Sequence, residues 1–153
     1  HVHVLPGVRQ AVLAAITRRY PKGTVWLRDP SDSPAAIIRR GVAVTKALVI
    51  GGLATGLRAQ AAKAGIPLNQ GFSGVSPFDP ARAYGADFAR FLSHPGTRHL
   101  VMCHPGFIDD ELAGLDPVSA TRPLEHAFLI GDGLRQAGLP QRFGTLSGIP
   151  ATE

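Results

Sequence analysis

The chain has 153 residues, enough for one domain with a core of its own, and its 44% apolar and 18% charged residues suit a globular protein. The net charge of +5 is scattered (Arg18–Arg19, Arg39–Arg40, Arg58, Lys63, Arg82, Arg90, Arg98), with no basic run interleaved with aromatics, so nucleic-acid binding is not supported. The single Cys103 excludes an internal disulfide and a cysteine-rich zinc site. No run of about 18 apolar residues is present to span a membrane and no signal-peptide pattern opens the sequence, so a cytoplasmic location is the expectation.

Val8, Val12, Ala15, Ile16 and Tyr20 recur at helical spacing, and the punctuation of Pro6-Gly7 and Pro21-Lys22-Gly23 predicts a helix over 8–20. The β-branched and aromatic run Thr24–Arg28 predicts a strand, and residues 29–34 a turn-rich loop. A helix follows from Pro34 to about Arg40. A second runs from about Val42 to Ala64 with a bend at Gly51-Gly52, and Gly65 stands at its C-terminal stop. Leu68–Gly74 reads as a strand end entering a loop. Ala81–Leu92 reads as a helix, His99–His104 as a buried strand running into Pro105-Gly106, and Leu124–Ala137 as the last helix. The tail from Leu139 is expected to be a loop or short strand. Helices alternating with strands predict a parallel α/β architecture formed as a single domain over 1–153.

Reactive groups in such folds collect where strands end and loops begin. Three segments fit: His1-Val2-His3, Asn69–Gly74, and Cys103-His104-Pro105-Gly106. On a strand, His1 and His3 share one face and could hold a divalent metal; a frayed terminus is the competing reading. His104, placed after an apolar strand, is a candidate general acid or base, against the alternative of a core histidine bonded to a carbonyl. Cys103 beside it would face the opposite side of the strand, which argues for packing over nucleophilic chemistry. Asp109-Asp110-Glu111 reads as a charged helix start. Arg122 is read either as a ligand for substrate oxygen or as an ion-pair partner of Glu125, with Pro123 suited to the first helical position.

Four patches in order resemble one family, the YdjC-like carbohydrate deacetylases. His-Val-His-Val-Leu-Pro at 1–6 resembles the end of its histidine-rich run. Asn69-x-Gly71-Phe72-Ser73-Gly74 with Phe78-Asp79 resembles its glycine-rich motif. Met102-Cys103-His104-Pro105-Gly106-Phe107 with Asp109 resembles its most recognisable signature. Asp116-Pro117 with Arg122-Pro123-Leu124-Glu125 resembles the segment that follows. The resemblance implies a barrel-like α/β fold and removal of the acetyl group from an N-acetylated saccharide or glycolipid. It implies a divalent metal, magnesium or zinc, held by an Asp and two His. On this sequence it points to His1 and His3 at the metal, His104 as the acid, and Asn69, Phe72, Ser73, Arg122 and Glu125 around the substrate.

The sequence departs from the family in lacking its Asp-Asp-Phe-Gly and Gly-x-His motifs, and it opens within the histidine-rich run. The expectation is therefore a C-terminal part of a (β/α) barrel that is not closed, with part of the metal site missing, with weak or no metal binding, and with little or no activity as an isolated chain. A non-catalytic sugar-binding or assembly module is the alternative. An open sheet edge and the apolar segment 42–64 predict a homodimer.

Overall fold

The computed structural model describes residues 2–116 and 118–137. It is rich in helix around one parallel strand pair. The expected strand at the start is instead a 3-10 turn, Val2–Val4. Its peptide groups meet no neighbouring strand. The buried guanidinium of Arg9 donates to the Val4 carbonyl, which takes the place of a ladder bond.

Helix α1, Pro6–Arg19, opens two residues earlier than expected because Pro6 stands in its first turn, where its missing N–H costs nothing. The expected strand 24–28 shrinks to one parallel bridge, Leu27 with Leu68. Leu27 donates to the Pro67 carbonyl at 3.0 Å, and Pro67 has no N–H with which to extend the ladder. The next residue pair is closed by a side chain. Asn69 Oδ1 accepts from the Asp29 N–H at 2.7 Å and Asn69 Nδ2 donates to the Asp29 carbonyl at 2.9 Å. The amide thus stands in for a peptide group and ends the pairing.

Helix α2, Pro34–Arg40, matches its prediction: the Ser33 hydroxyl caps the Ala36 N–H, and Gly41 turns out of the helix at φ 65°. The long helix predicted over 42–64 is two, α3 (Val44–Leu53) and α4 (Leu57–Ala64). The break lies at Ala54–Gly56 and not at Gly51-Gly52, which stay helical. Gly56 supplies φ 84°, and Arg9 donates to the Leu53 and Thr55 carbonyls, which a helix end leaves without partners. Gly65 closes α4 as expected.

Strand β1, Phe72–Ser73, pairs in parallel with β2, Leu100–Val101, in the register Phe72–Leu100 and Ser73–Val101. The strand expected over 99–104 is therefore two residues long and only half-buried. Met102 N–H still donates to the Ser73 carbonyl at 2.9 Å. Then Gly74, at φ 92°, turns β1 away; a Cβ there would overlap the Met102 backbone.

Helix α5, Tyr84–Leu92, follows β1. Helix α6, Asp110–Leu115, has Asp109 as its cap, with Asp110 and Glu111 in its first turn. The last predicted helix divides into α7 (Arg122–Ile130) and α8 (Asp132–Gln136), separated at Gly131 in an extended conformation. Pro123 falls in the first turn of α7. The expectation for the tail from Leu139 lies outside the described residues.

The largest core cluster packs Val42, Phe88 and Phe91 with Tyr84, Val101, Cys103 and Phe128, joining α5 and α7 to β2. Of two smaller clusters, one packs Leu57 of α4 with Val4 and Ala54, and the other, around Leu13 and Ala61, joins α1 and α4. Buried arginines tie these layers together. Arg40 pairs with Asp32 at 2.8 Å and donates to the carbonyls of Phe72, Ser93 and His94. On α3, Leu48, Val49 and Leu53 are exposed in the single chain, so the segment expected to form a dimer interface shows an apolar face. Among the described residues no helix is long and apolar enough to cross a membrane.

Candidate functional site

The C-terminal ends of β1 and β2 open towards α3 and the start of α7, and side chains from five segments meet there. His104 leaves β2 three residues after Val101. Its backbone N–H donates to Glu125 Oε2 at 2.6 Å, and Glu125, on α7, is 1% exposed. A carboxylate in the core is costly unless it is hydrogen-bonded, and this one fixes the turn that carries His104.

The imidazole itself is half-buried. Its Nδ1 is buried and has no hydrogen-bond partner among the described residues, which leaves Nε2 as the nitrogen open to the site. Phe78, from the loop after β1, meets the ring edge-on, with centroids 5.2 Å apart and planes at 81°. Lys46 of α3 places its ammonium 4.1 Å from the centroid of Phe78 and donates to the Ser76 carbonyl at 3.2 Å. Arg122, at the head of α7, pairs with Asp116. The Asp116 carboxyl lies below its usual range because of that bond and a second from the Val118 N–H.

Burial is the largest influence on His104 and lowers its pKa from the ordinary 6.5. Glu125 and Asp116 oppose that shift, while Arg122 and Lys46 add to it. Burial also favours the neutral form of Lys46. The Cys103 thiol packs in the α5–α7 cluster beside Tyr84, and burial raises its pKa, as befits a packing residue and not a nucleophile.

The structure thus brings Arg122 and Glu125 to His104. Arg122 binds Asp116 and not Glu125. The other expected substrate residues are occupied internally. Asn69 is fully buried and makes its three bonds to the Asp29 and Gly71 backbones. Phe72 is buried, its N–H donating to Asp32 at 3.1 Å. Ser73 Oγ donates to the Phe91 carbonyl at 2.9 Å and meets His99 Nε2 at 2.8 Å.

That serine, His99 and Asp32 lie in an order seen in hydrolytic triads, yet the protons are wrongly placed for one. His99 Nδ1 accepts from the Gly96 N–H at 3.3 Å, so the proton sits on Nε2 and points at Ser73. Asp32 stands 3.9 Å from that accepting nitrogen. The imidazole cannot take the serine proton, and the group is a structural network.

Sequence reasoning does not find Lys46, whose only signal is that of a lone cation in the apolar segment 42–57.

Of the expected metal pair, only His3 falls among the described residues; His1 lies outside them. His3 sits in the 3-10 turn Val2–Val4 and not on a strand. Its Nε2 meets the Arg28 carbonyl at 2.6 Å, which leaves only Nδ1 for a metal. Among the described residues no three His, Cys, Asp or Glu side chains gather in a way that could hold an ion. The described residues therefore do not fit a divalent metal.

A family model described as YdjC-like protein matches residues 1–138. No curated protein and no solved structure matches the chain.

Proposed function

The chain belongs to the YdjC-like family, a carbohydrate deacetylase-related family, and from that premise we propose that it serves hydrolysis of the acetamido group of an N-acetylated saccharide or glycolipid, with His104 as the proton carrier. The observation that carries this reading is the half-buried His104 imidazole, set at the mouth of the parallel strand pair with Nε2 open and its backbone pinned by a buried carboxylate. In keeping with the family resemblance, we take β1 and β2 as part of a barrel-like sheet.

An amide is cleaved when water adds to the carbonyl and the amine leaves with an added proton. Neutral imidazole can accept the proton of the attacking water and return it to the departing nitrogen, so that the C–N bond breaks to give acetate and a free amine. Burial keeps His104 neutral at neutral pH, and the nearby Glu125 and Asp116 carboxylates stabilise the imidazolium formed in between. Arg122, held by Asp116, is the cation available to a substrate oxygen. The family's chemistry also uses a divalent metal; the described residues fit none, so no step is assigned to it.

The test is acetate release from N-acetylated oligosaccharides by the protein as encoded. His104→Ala is expected to lower kcat by roughly 10²–10⁴-fold. Full activity in that variant would remove His104 from the reaction.

A further inference from the structure

We propose that Phe78 is the positioning residue for the His104 imidazole, and that Lys46, lying on the Phe78 ring, is the side chain that holds Phe78 against it. This rests on the reading of His104 as the proton carrier.

A catalytic imidazole is commonly oriented by a carboxylate on the nitrogen that faces away from the substrate. Here the nearby carboxylate is used differently. Glu125 accepts from the backbone N–H of His104, and the ring nitrogen Nδ1 is buried with no partner among the described residues. Among the described residues no hydrogen bond fixes the ring about its side-chain torsions. What meets it is the Phe78 ring, edge-on at 5.2 Å.

Phe78 is held for that contact at a cost. Its φ is 57°, in the left-handed region, which disfavours a bulky residue by about 1–2 kcal/mol. Ser76 Oγ accepts the Phe78 N–H at 3.0 Å and stabilises this turn. Lys46 bonds the Ser76 carbonyl and covers the Phe78 ring at 4.1 Å, so one side chain of α3 locks both the loop and the ring. A strained aromatic fixed from two sides against a titratable group marks positioning more than packing.

The charges facing His104 come from three places: Glu125 and Arg122 on α7, Asp116 before it, and Lys46 on α3. Arg122 is already paired with Asp116. Lys46 has no carboxylate partner among the described residues, and its neighbours are the Ser76 carbonyl and the Phe78 ring.

The His104 ring protons can be titrated by NMR in the 153-residue chain, which tests the proposal without any turnover. Lys46→Met is expected to raise the His104 pKa. Phe78→Leu is expected to raise it as well and to move the ring signals towards those of a free histidine, while Phe78→Tyr restores both. In the protein as encoded, Phe78→Leu should lower kcat roughly 10–100-fold with KM little changed, and Phe78→Tyr should recover it. An unchanged titration in Lys46→Met and in a folded Phe78→Leu would overturn the proposal. If Phe78→Leu does not fold, Lys46→Met decides alone. Indifference of turnover to His104→Ala would instead remove the functional reading, leaving the titration result to stand on its own.

Discussion

Asn69 illustrates what a single side chain can do in this fold. Its amide bonds both backbone groups of Asp29 and the Gly71 carbonyl, so it joins the loop after α1 to the entry of β1. Asn69→Ala would leave the Asp29 N–H and carbonyl buried and unpaired, at a cost of about 2–4 kcal/mol. The thermal midpoint should fall by roughly 6–12 °C. A raised KM at unchanged midpoint would show the amide acting on substrate and not on the backbone. In the sequence, the family resemblance points to Asn69 as a substrate residue. Whether its amide faces a ligand or its own chain depended on where Asp29, forty residues earlier, came to lie. His104 was legible because a histidine after an apolar run and before Pro-Gly must lie near a strand end. Its partners Lys46 and Phe78 come from other elements, and no local pattern joins them.

Among the elements, the two halves of segment 42–64 show why helix breaks are hard to place. Gly51 and Gly52 look like a bend, yet both remain inside α3. Gly56 takes φ 84° and starts α4. Arg9 decides between them, because its guanidinium reaches the freed carbonyls of Leu53 and Thr55. Gly56→Ala should therefore destabilise by about 1–2 kcal/mol, since its φ is strained for any side chain. Gly52→Ala should stabilise by about 0.5–1 kcal/mol, because a Cβ there meets nothing within 4 Å and helix propensity improves. Urea midpoints of the two variants check this, and the opposite order would show the bend to lie at Gly52. The helices α1, α2 and α5 were legible from periodicity and punctuation; α2 matches its expected bounds, while α1 starts two residues earlier and α5 three residues later than expected.

For the whole molecule, stability should depend on pH through its buried imidazoles. Burial, the largest cause, lowers both His99 and His104 from their ordinary 6.5; Arg40 adds to the effect on His99, and Arg122 and Lys46 to that on His104. The unfolded chain therefore takes up protons before the folded one as pH falls. Their contribution is fully present above about pH 6.5 and is lost on the way down to the lower folded values. Thermal midpoints should fall between about pH 7 and about pH 5. His99→Gln, which keeps a polar group against Ser73, should flatten part of that slope. A midpoint that stays constant or rises over this range would show that these imidazoles are not held neutral by the fold.

The sequence by itself determined the family, through four patches in order over most of the chain, and with it the location of His104, the helices α1, α2 and α5, and the absence of a disulfide. Those features are local: they rest on periodicity, on residues that can or cannot adopt a given φ, and on short contiguous motifs. Only the tertiary structure decided that β2 is a two-residue half-buried strand, that Val2–Val4 form a 3-10 turn, that Arg122 pairs with Asp116, and that Ser73 and His99 carry their protons the wrong way for hydrolysis. Each of these depends on which distant group satisfies a backbone carbonyl, an N–H or a buried charge. That pairing is settled by packing over the whole chain, where every buried polar group must find a partner at once.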